Sequence, residues 1–164
     1  MNHTNTLARV MALDLATVTG WATLANGVIT SGSWSFARHH GNKNRAPDHP
    51  GAPFAMFRRW LHTKLQEDKP AGIAYEEVMQ FKFGLQAHSF CGLRGILFET
   101  AAASNLPLYP CHITSVKKFW TGSGKSKKPE MMAETLRRYP DLELTDDNES
   151  DAMALLNFHL DRTT

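Results

Sequence analysis

The chain has little of what marks several protein classes. It carries only two cysteines among 164 residues. Cys91 and Cys111 do not form a Cys-x-x-Cys pair, which excludes a disulfide scaffold and a cysteine-rich zinc site. No apolar run approaches the ~20 residues that cross a bilayer. The opening Met1-Asn-His-Thr-Asn-Thr6 has no basic stretch followed by an apolar one, so secretion is not expected and a reducing cytoplasm is. Internal repeats and low-complexity tracts are lacking. With 42% hydrophobic and 21% charged residues, the composition is that of an ordinary folded domain, neither disordered nor fibrous. The length fits a single domain, residues 1–164, that can bury roughly 70% of its unfolded surface.

Net charge is also small, +2, but it is unevenly spread. Residues 36–64 carry net +5, residues 117–138 net +5, and residues 139–161 net −7 with no Lys or Arg. Basic blocks beside an acidic one point to a polyanionic partner and to a group of carboxylates with a separate task. Solvated surface charge is the plain alternative.

Residues 8–16 are predicted to form a buried strand with Asp14 near its end. Residues 21–25, the Asn26-Gly27 turn and residues 28–36 then complete a three-stranded antiparallel meander. Residues 37–52, rich in Gly, Pro and Asn without periodicity, are predicted to be a long mobile loop. A helix over 53–68 follows, with Phe54, Phe57, Leu61 and Leu65 at helical spacing. Next come a strand over 73–78, a long helix over 84–105, a short strand over 106–110, and helices over 114–120, 128–139 and about 148–160. The order predicts an α/β fold, with a mixed five-stranded sheet of three antiparallel and then parallel strands, flanked by helices on both faces.

Three acids stand out. Asp14 lies in an apolar strand, where a charge is costly unless it is paired or binds a cation. Glu76 repeats this in Gly-Ile-Ala-Tyr-Glu-Glu-Val. Alternation sends Glu76 and Glu77 to opposite faces, so only one of them can join Asp14. Asp151 opens the apolar run Asp-Ala-Met-Ala-Leu-Leu, though an acid near a helix start is also an ordinary cap. Asn148, three residues earlier, shares its helical face and is preferred over Asp147 as a fourth member. Carboxylates on two strands and a helix start suit two hard divalent ions, Mg²⁺ or in its place Mn²⁺, in phosphodiester chemistry.

At these residues the sequence resembles RuvC-type Holliday junction resolvases of the ribonuclease-H-like, or retroviral integrase, superfamily, over about residues 10–160. Five segments carry the resemblance in order: Ala-Leu-Asp14-Leu-Ala-Thr-Val-Thr-Gly-Trp, Ala-Tyr-Glu76-Glu-Val, Cys91-Gly-Leu-Arg-Gly-Ile-Leu, Val116-Lys-Lys-Phe-Trp-Thr-Gly-Ser-Gly-Lys-Ser-Lys-Lys128 and Asn148-Glu-Ser-Asp151-Ala-Met-Ala-Leu. The resemblance implies a ribonuclease-H-like nuclease domain that cuts Holliday junctions or other branched DNA as a homodimer, with two metal ions per site and no nucleotide cofactor or membrane. Asp14, Glu76, Asp151 and Lys128 would be catalytic. Asp14, Glu76, Asp151 and Asn148 would hold metal. Lys117, Lys118, Lys125, Lys127 and Lys128 would contact phosphates. The family often has a wedging aromatic after the second motif; Met79 stands there, and Phe81 or Phe83 would serve instead. The family usually has an acid or histidine at Asn148, which leaves the fourth ligand open with Asp147 next door as a substitute; the loop at 37–52 is unusual and suggests altered substrate choice, as in phage-type resolvases. The helix over 84–105, through Phe90, Leu93, Leu97 and Phe98, offers either a dimer face or plain core.

Two motifs mislead. Gly122-Ser-Gly-Lys-Ser126 has Phe119 where a phosphate-binding loop needs its first Gly, and no apolar strand precedes it. His39, His40 and His49 match no zinc spacing. An actin- or hexokinase-type phosphotransferase, which also opens Asp-x-x-Thr-x-x-Gly, needs a second lobe. A non-catalytic branched-DNA-binding module and a ribonuclease of the same superfamily are the alternatives in function.

Overall fold

The computed structural model describes residues 9–36, 49–78 and 84–163. Strands β1 (Val10–Asp14), β2 (Val18–Ala25) and β3 (Val28–Ser35) form the meander, with Asn26 and Gly27 both at positive φ in its tight turn. Helix α1 (Ala52–Asp68), β4 (Gly72–Glu77), α2 (Gly84–Ala103) and β5 (Leu108–His112) follow. Helices α3 (Ile113–Thr121), α4 (Lys128–Arg138) and α5 (Asp147–Thr163) complete the chain.

The sheet order is β3-β2-β1-β4-β5. β1–β2 and β2–β3 are antiparallel, whereas β1–β4 and β4–β5 are parallel. This is the mixed sheet expected from the sequence. The apolar strands alternate between two cores, one on each face. Val10, Ala12, Ala22, Ala74 and Cys111 pack on one face with α3, α4 and the apolar side of α5. Met11, Leu13, Ile73 and Tyr75 pack on the other with α1 and α2. Phe90, Leu93 and Leu97 of α2 lie in this second core. Burial takes them out of the suggested dimer face. Phe98 is left exposed at its edge, against Tyr75 and beneath the Arg94 guanidinium.

Two devices fix α5 on the sheet. Gly20, opposite Asp14 across the β1–β2 ladder, lies directly under the first turn of the helix. A Cβ at Gly20 would sit 1.9 Å from the Asn148 carbonyl oxygen. The second device is a buried polar node. The Trp120 indole donates to Thr135 Oγ1 at 3.0 Å, and Thr135 shares a 2.8 Å hydrogen bond with Ser150. Thr135 and Ser150 are fully buried, so the node ties α3, α4 and α5 together.

The close approach at Gly20 predicts that Gly20→Ala loses about 1–3 kcal/mol by overpacking. Gly95 is exposed within α2 and has nothing within 4 Å of its Cβ position. Gly95→Ala should therefore gain about 0.5–1 kcal/mol. Urea unfolding of both variants measures the contrast.

Candidate active site

β1 and β4 run parallel and end together, which brings Asp14 and Glu76 side by side. Face assignment follows from the cores. Val10 and Ala12 face α5, so Asp14 does too; Ala74 faces α5, so Glu76 does as well. Glu77 points the other way, with His112 Nε2 3.7 Å from its carboxylate. The two-strand part of the sequence expectation is thus resolved in favour of Glu76.

The third element is the start of α5, and here a set of carboxylates outside the cluster does the positioning. Asp146 caps the helix. Its Oδ1 accepts the Glu149 N–H at 2.9 Å and its Oδ2 accepts the Ser33 hydroxyl at 2.7 Å. Burial pushes the Asp146 carboxyl up, but the hydrogen bonds from Glu149, Ser33 and Asn148 outweigh it and hold the group below its ordinary value. Glu149 is buried, yet it accepts the Ser31 hydroxyl and the Thr145 N–H, both at 2.7 Å. Two serines of β3 therefore staple the helix N-terminus to the sheet. Asp146-x-x-Glu149 is a capping-box spacing, a signal in the sequence that marks this start one residue before the predicted one. Asp151 lies one turn further on and is no cap.

With the helix so placed, Asp147 and Asp151, four residues apart on one face, stand over Asp14 and Glu76. Asp14 is hydrogen-bonded to Glu76. Burial first, then the charge and hydrogen bond of Glu76, then Asp151 and Asp147, raise the Asp14 carboxyl well above its usual value. Burial, with Glu76 and Asp147, pushes Asp151 up to about 6 against the opposing pull of Lys117 and Lys128. These are carboxylates crowded at one spot with too little positive charge among them. Asn148, expected from the sequence as the fourth member, is engaged beside the cluster. Its amide is hydrogen-bonded to Asp146, and Asp147 is the residue whose charge reaches both Asp14 and Asp151.

Two lysines border the cluster. Lys128, at the start of α4, forms an ion pair with Asp147, which raises the ammonium's pKa. Lys117 of α3 is half-buried and donates to the Ser126 carbonyl at 3.0 Å, holding the segment 122–127 against its helix. That segment joins two helices, so it is not a strand-to-helix phosphate loop. Lys118, Lys125 and Lys127 are exposed. Arg137 and Arg138 both bind Glu134 at 2.7 Å, and Arg138 also lies over Trp120. They serve the fold. Phe81, with Met79, Phe83, His39, His40 and most of the 37–52 loop, lies outside the described residues.

The donor set is all oxygen and suits a hard divalent cation. Among the described residues, no three His, Cys, Asp or Glu side chains already close around a metal position. Asp14 and Glu76 instead engage each other, and Lys128 engages Asp147.

No family model matches the chain. It is 29% identical over 117 residues to the crossover junction endodeoxyribonuclease RuvC of Endomicrobium trichonymphae, covering 68% of this chain and 61% of that relative's length. Among solved structures it is similar to T. thermophilus RuvC in complex with Holliday junction substrate, with TM-score 0.69, 18% identity and coverage of 95% and 94% of the two chains. The yeast mitochondrial Holliday junction resolvase Ydc2 follows at TM-score 0.63 and 12% identity, over 92% and 77%. In sequence the chain resembles RuvC, and the architecture is the ribonuclease-H-like fold of these neighbours. No helix among the described residues is long and apolar enough to cross a membrane.

The crowding has a sign that can be tested. Folded Asp14 binds its proton more tightly than the unfolded chain does, so stability falls as pH rises from the ordinary carboxylate range toward the raised value. Asp14→Asn removes that penalty. In metal-free buffer at about pH 8 its Tm should exceed the wild-type value. At about pH 3.5, where both states are protonated, the gap should close. Thermal melts in EDTA read both.

Proposed function

We propose that this chain is a RuvC-type, structure-selective endodeoxyribonuclease that resolves Holliday junctions or other branched DNA by metal-dependent phosphodiester hydrolysis. The observation that carries this reading is the convergence of Asp14, Glu76, Asp147 and Asp151 from two strands and a helix start, with Lys117 and Lys128 beside them. The sequence similarity to RuvC and the fold shared with two junction resolvases support it.

Asp14, Glu76 and Asp151 would hold the metal, with Asp147 in the fourth position in place of Asn148. Bound there, two Mg²⁺ or Mn²⁺ ions would supply an activated water and stabilise the leaving oxygen. The rest falls to the chain's own groups. Asp146 and Glu149 keep the α5 acids in place without entering the cluster. Lys128 lies within reach of charge that builds on a scissile phosphate. Lys118, Lys125 and Lys127 face solvent and hold the DNA backbone, each phosphate contact adding about −0.9 to the salt slope. A four-way junction carries two symmetric cut sites, which a homodimer with two such clusters matches.

Labelled four-way, flap, duplex and DNA–RNA hybrid substrates with Mg²⁺ test the reading. Paired cuts in the four-way junction support it. Binding without cutting identifies a non-catalytic module, and preferred cutting of the hybrid a ribonuclease. Asp14→Asn should abolish cleavage while leaving junction binding intact, since the phosphate contacts remain.

Two pairs of variants refine the site. Asp147→Ala should lower the cleavage rate by at least the ~10–100-fold that loss of a metal's outer-shell partner costs, while Asn148→Ala acts chiefly on stability; the reverse pattern restores Asn148 as the ligand. Lys128→Ala should slow cleavage at saturating DNA more than it weakens binding. Lys125→Ala should reduce the salt slope by about one contact and leave the saturated rate alone.

A further inference from the structure

A groove of about 600 Å³ opens between β3 and α1, on the sheet face away from α5. Its walls carry Trp21, Trp34, Trp60 and Met56, with Arg59 and Lys64 among them. The four aromatic and thioether side chains are not equivalent. Trp21 is fixed: Gly32 lies under its ring, where a Cβ would approach to 3.0 Å, and Lys64 Nζ sits 4.0 Å from its centroid. Trp60 stacks on Phe57 and meets Phe36 edge-on. Trp34 and Met56 are the free surfaces, 48% and 41% exposed. A Trp and a Met left this open beside a preformed groove form a stacking platform with no partner among the described residues.

The groove lies on the other face of the sheet from the carboxylate cluster and comes round the β3 edge to Ser33 and Thr145, beside the seat of α5. Asp14 pairs with Gly20 and Gly20 with Ser33, in one line across the sheet. Two strand spacings put Ser33 only ~10 Å from Asp14. Ser33 and Thr145 both line the groove; Ser33 holds Asp146, and Thr145 stands two residues before Asp147. The charge fits a single phosphate through Arg59, since Glu67, which also lines the groove, is shared with Lys64. Arg59 is exposed and makes no ion pair among the described residues. Lys64 adds a second cation, although Asp68 at 3.1 Å and Glu67 at 3.8 Å share it.

Building on the nuclease reading, we infer that this groove takes an unpaired nucleotide of the DNA substrate, its base stacked on Trp34 and its phosphate held by Arg59, at the β3 edge that borders the seat of α5. Tryptophan offers a face that any base can use, so the contact selects unpaired over paired DNA and not one sequence over another. Duplex bases are stacked on one another and cannot enter. The groove thereby gives the enzyme a reason to prefer branch points and frayed ends.

Three of the four tryptophans line the groove, so intrinsic fluorescence reports on it directly. Wild-type protein in EDTA, which binds without cutting, is titrated with single-stranded oligo-dT, with a fully paired four-way junction, and with the same junction carrying unpaired thymines at the branch. Oligo-dT should quench the fluorescence. Trp34→Ala, with its fold checked by circular dichroism, should lose most of that quenching. It should bind the unpaired-thymine junction about tenfold or more weakly, with affinity for the fully paired junction unchanged. Arg59→Ala should weaken the same arm and lower its salt dependence. No quenching by oligo-dT, or an equal loss on both junctions, overturns the assignment; the first is also the result if the groove docks a protein. A failed nuclease reading looks different: wild type then prefers neither junction over linear duplex, and the groove stands or falls on the oligo-dT arm.

Discussion

The first turn of α5 lies against β2 and β3 because two carboxylates, Asp146 and Glu149, are fully occupied with hydrogen bonds from Ser33, Ser31, Thr145 and the helix's own Glu149 N–H. Everything chemical in the molecule depends on that seat. β1 and β4 can deliver Asp14 and Glu76 to one end of the sheet unaided, since parallel neighbours end together. The other two acids come from a helix more than 130 residues after Asp14 in the chain, and only the seat gives them a fixed position. Gly20 sets how close the helix comes, and the Trp120–Thr135–Ser150 node sets its rotation against α3 and α4. The acidic run 146–151 thus divides into two kinds of carboxylate. Asp146 and Glu149 are satisfied by donors and act on structure. Asp147 and Asp151 are left facing other acids.

That division explains the electrostatics. A carboxylate surrounded by hydrogen-bond donors is held ionised, and one surrounded by carboxylates resists ionisation. Asp146 is below its ordinary value, while Asp14 and Asp151 are above theirs, although Asp146 and Asp151 belong to one short acidic run. A fold selected only for stability would not bury Asp14 beside Glu76. On the proposed reading the strain is the form in which affinity for a cation would be stored: charge that is unfavourable alone becomes favourable once a divalent ion offsets it. Lys128, bound to Asp147 at the rim, offsets part of it from the outside and remains long and exposed enough to turn toward a phosphate.

The architecture was legible from the sequence because its signals are local. Alternating apolar strands, an Asn-Gly turn and helices at 3.6-residue spacing specify the sheet order once parallel and antiparallel neighbours are distinguished. Asp14 and Glu76 were legible for the same reason, as charges in apolar strands. The surroundings of the fourth position were not. Asn148 and Asp147 both fall on the face of Asp151, and periodicity cannot separate them. What tells their surroundings apart is a hydrogen bond from the Asn148 amide to the capping Asp146, whose partner Ser33 lies over a hundred residues away. The α2 residues Phe90, Leu93 and Leu97 show the converse limit. Their pattern specifies a buried face but not whether the same chain or a second copy buries it.

The basic blocks carry the same lesson into function. Between residues 117 and 138 there are seven bases, which as a count suggests a uniform polyanion surface. The structure sorts them by what they already touch. Arg137 and Arg138 are committed to Glu134 and the Trp120 ring. Lys117 is committed to the Ser126 carbonyl and acts on Asp151 only through space. Lys128 is shared with Asp147. Lys118, Lys125 and Lys127 alone are exposed with no ion pair among the described residues. Charge density in the sequence therefore overstates the number of free cations on this face, and the cations nearest the carboxylates are the least free. Lys128 is exposed and paired with Asp147, whereas Lys117, which also acts on Asp151, is half-buried, so on the proposed reading Lys128 is the base that would lead a DNA backbone from the exposed lysines toward a site that is itself negatively charged.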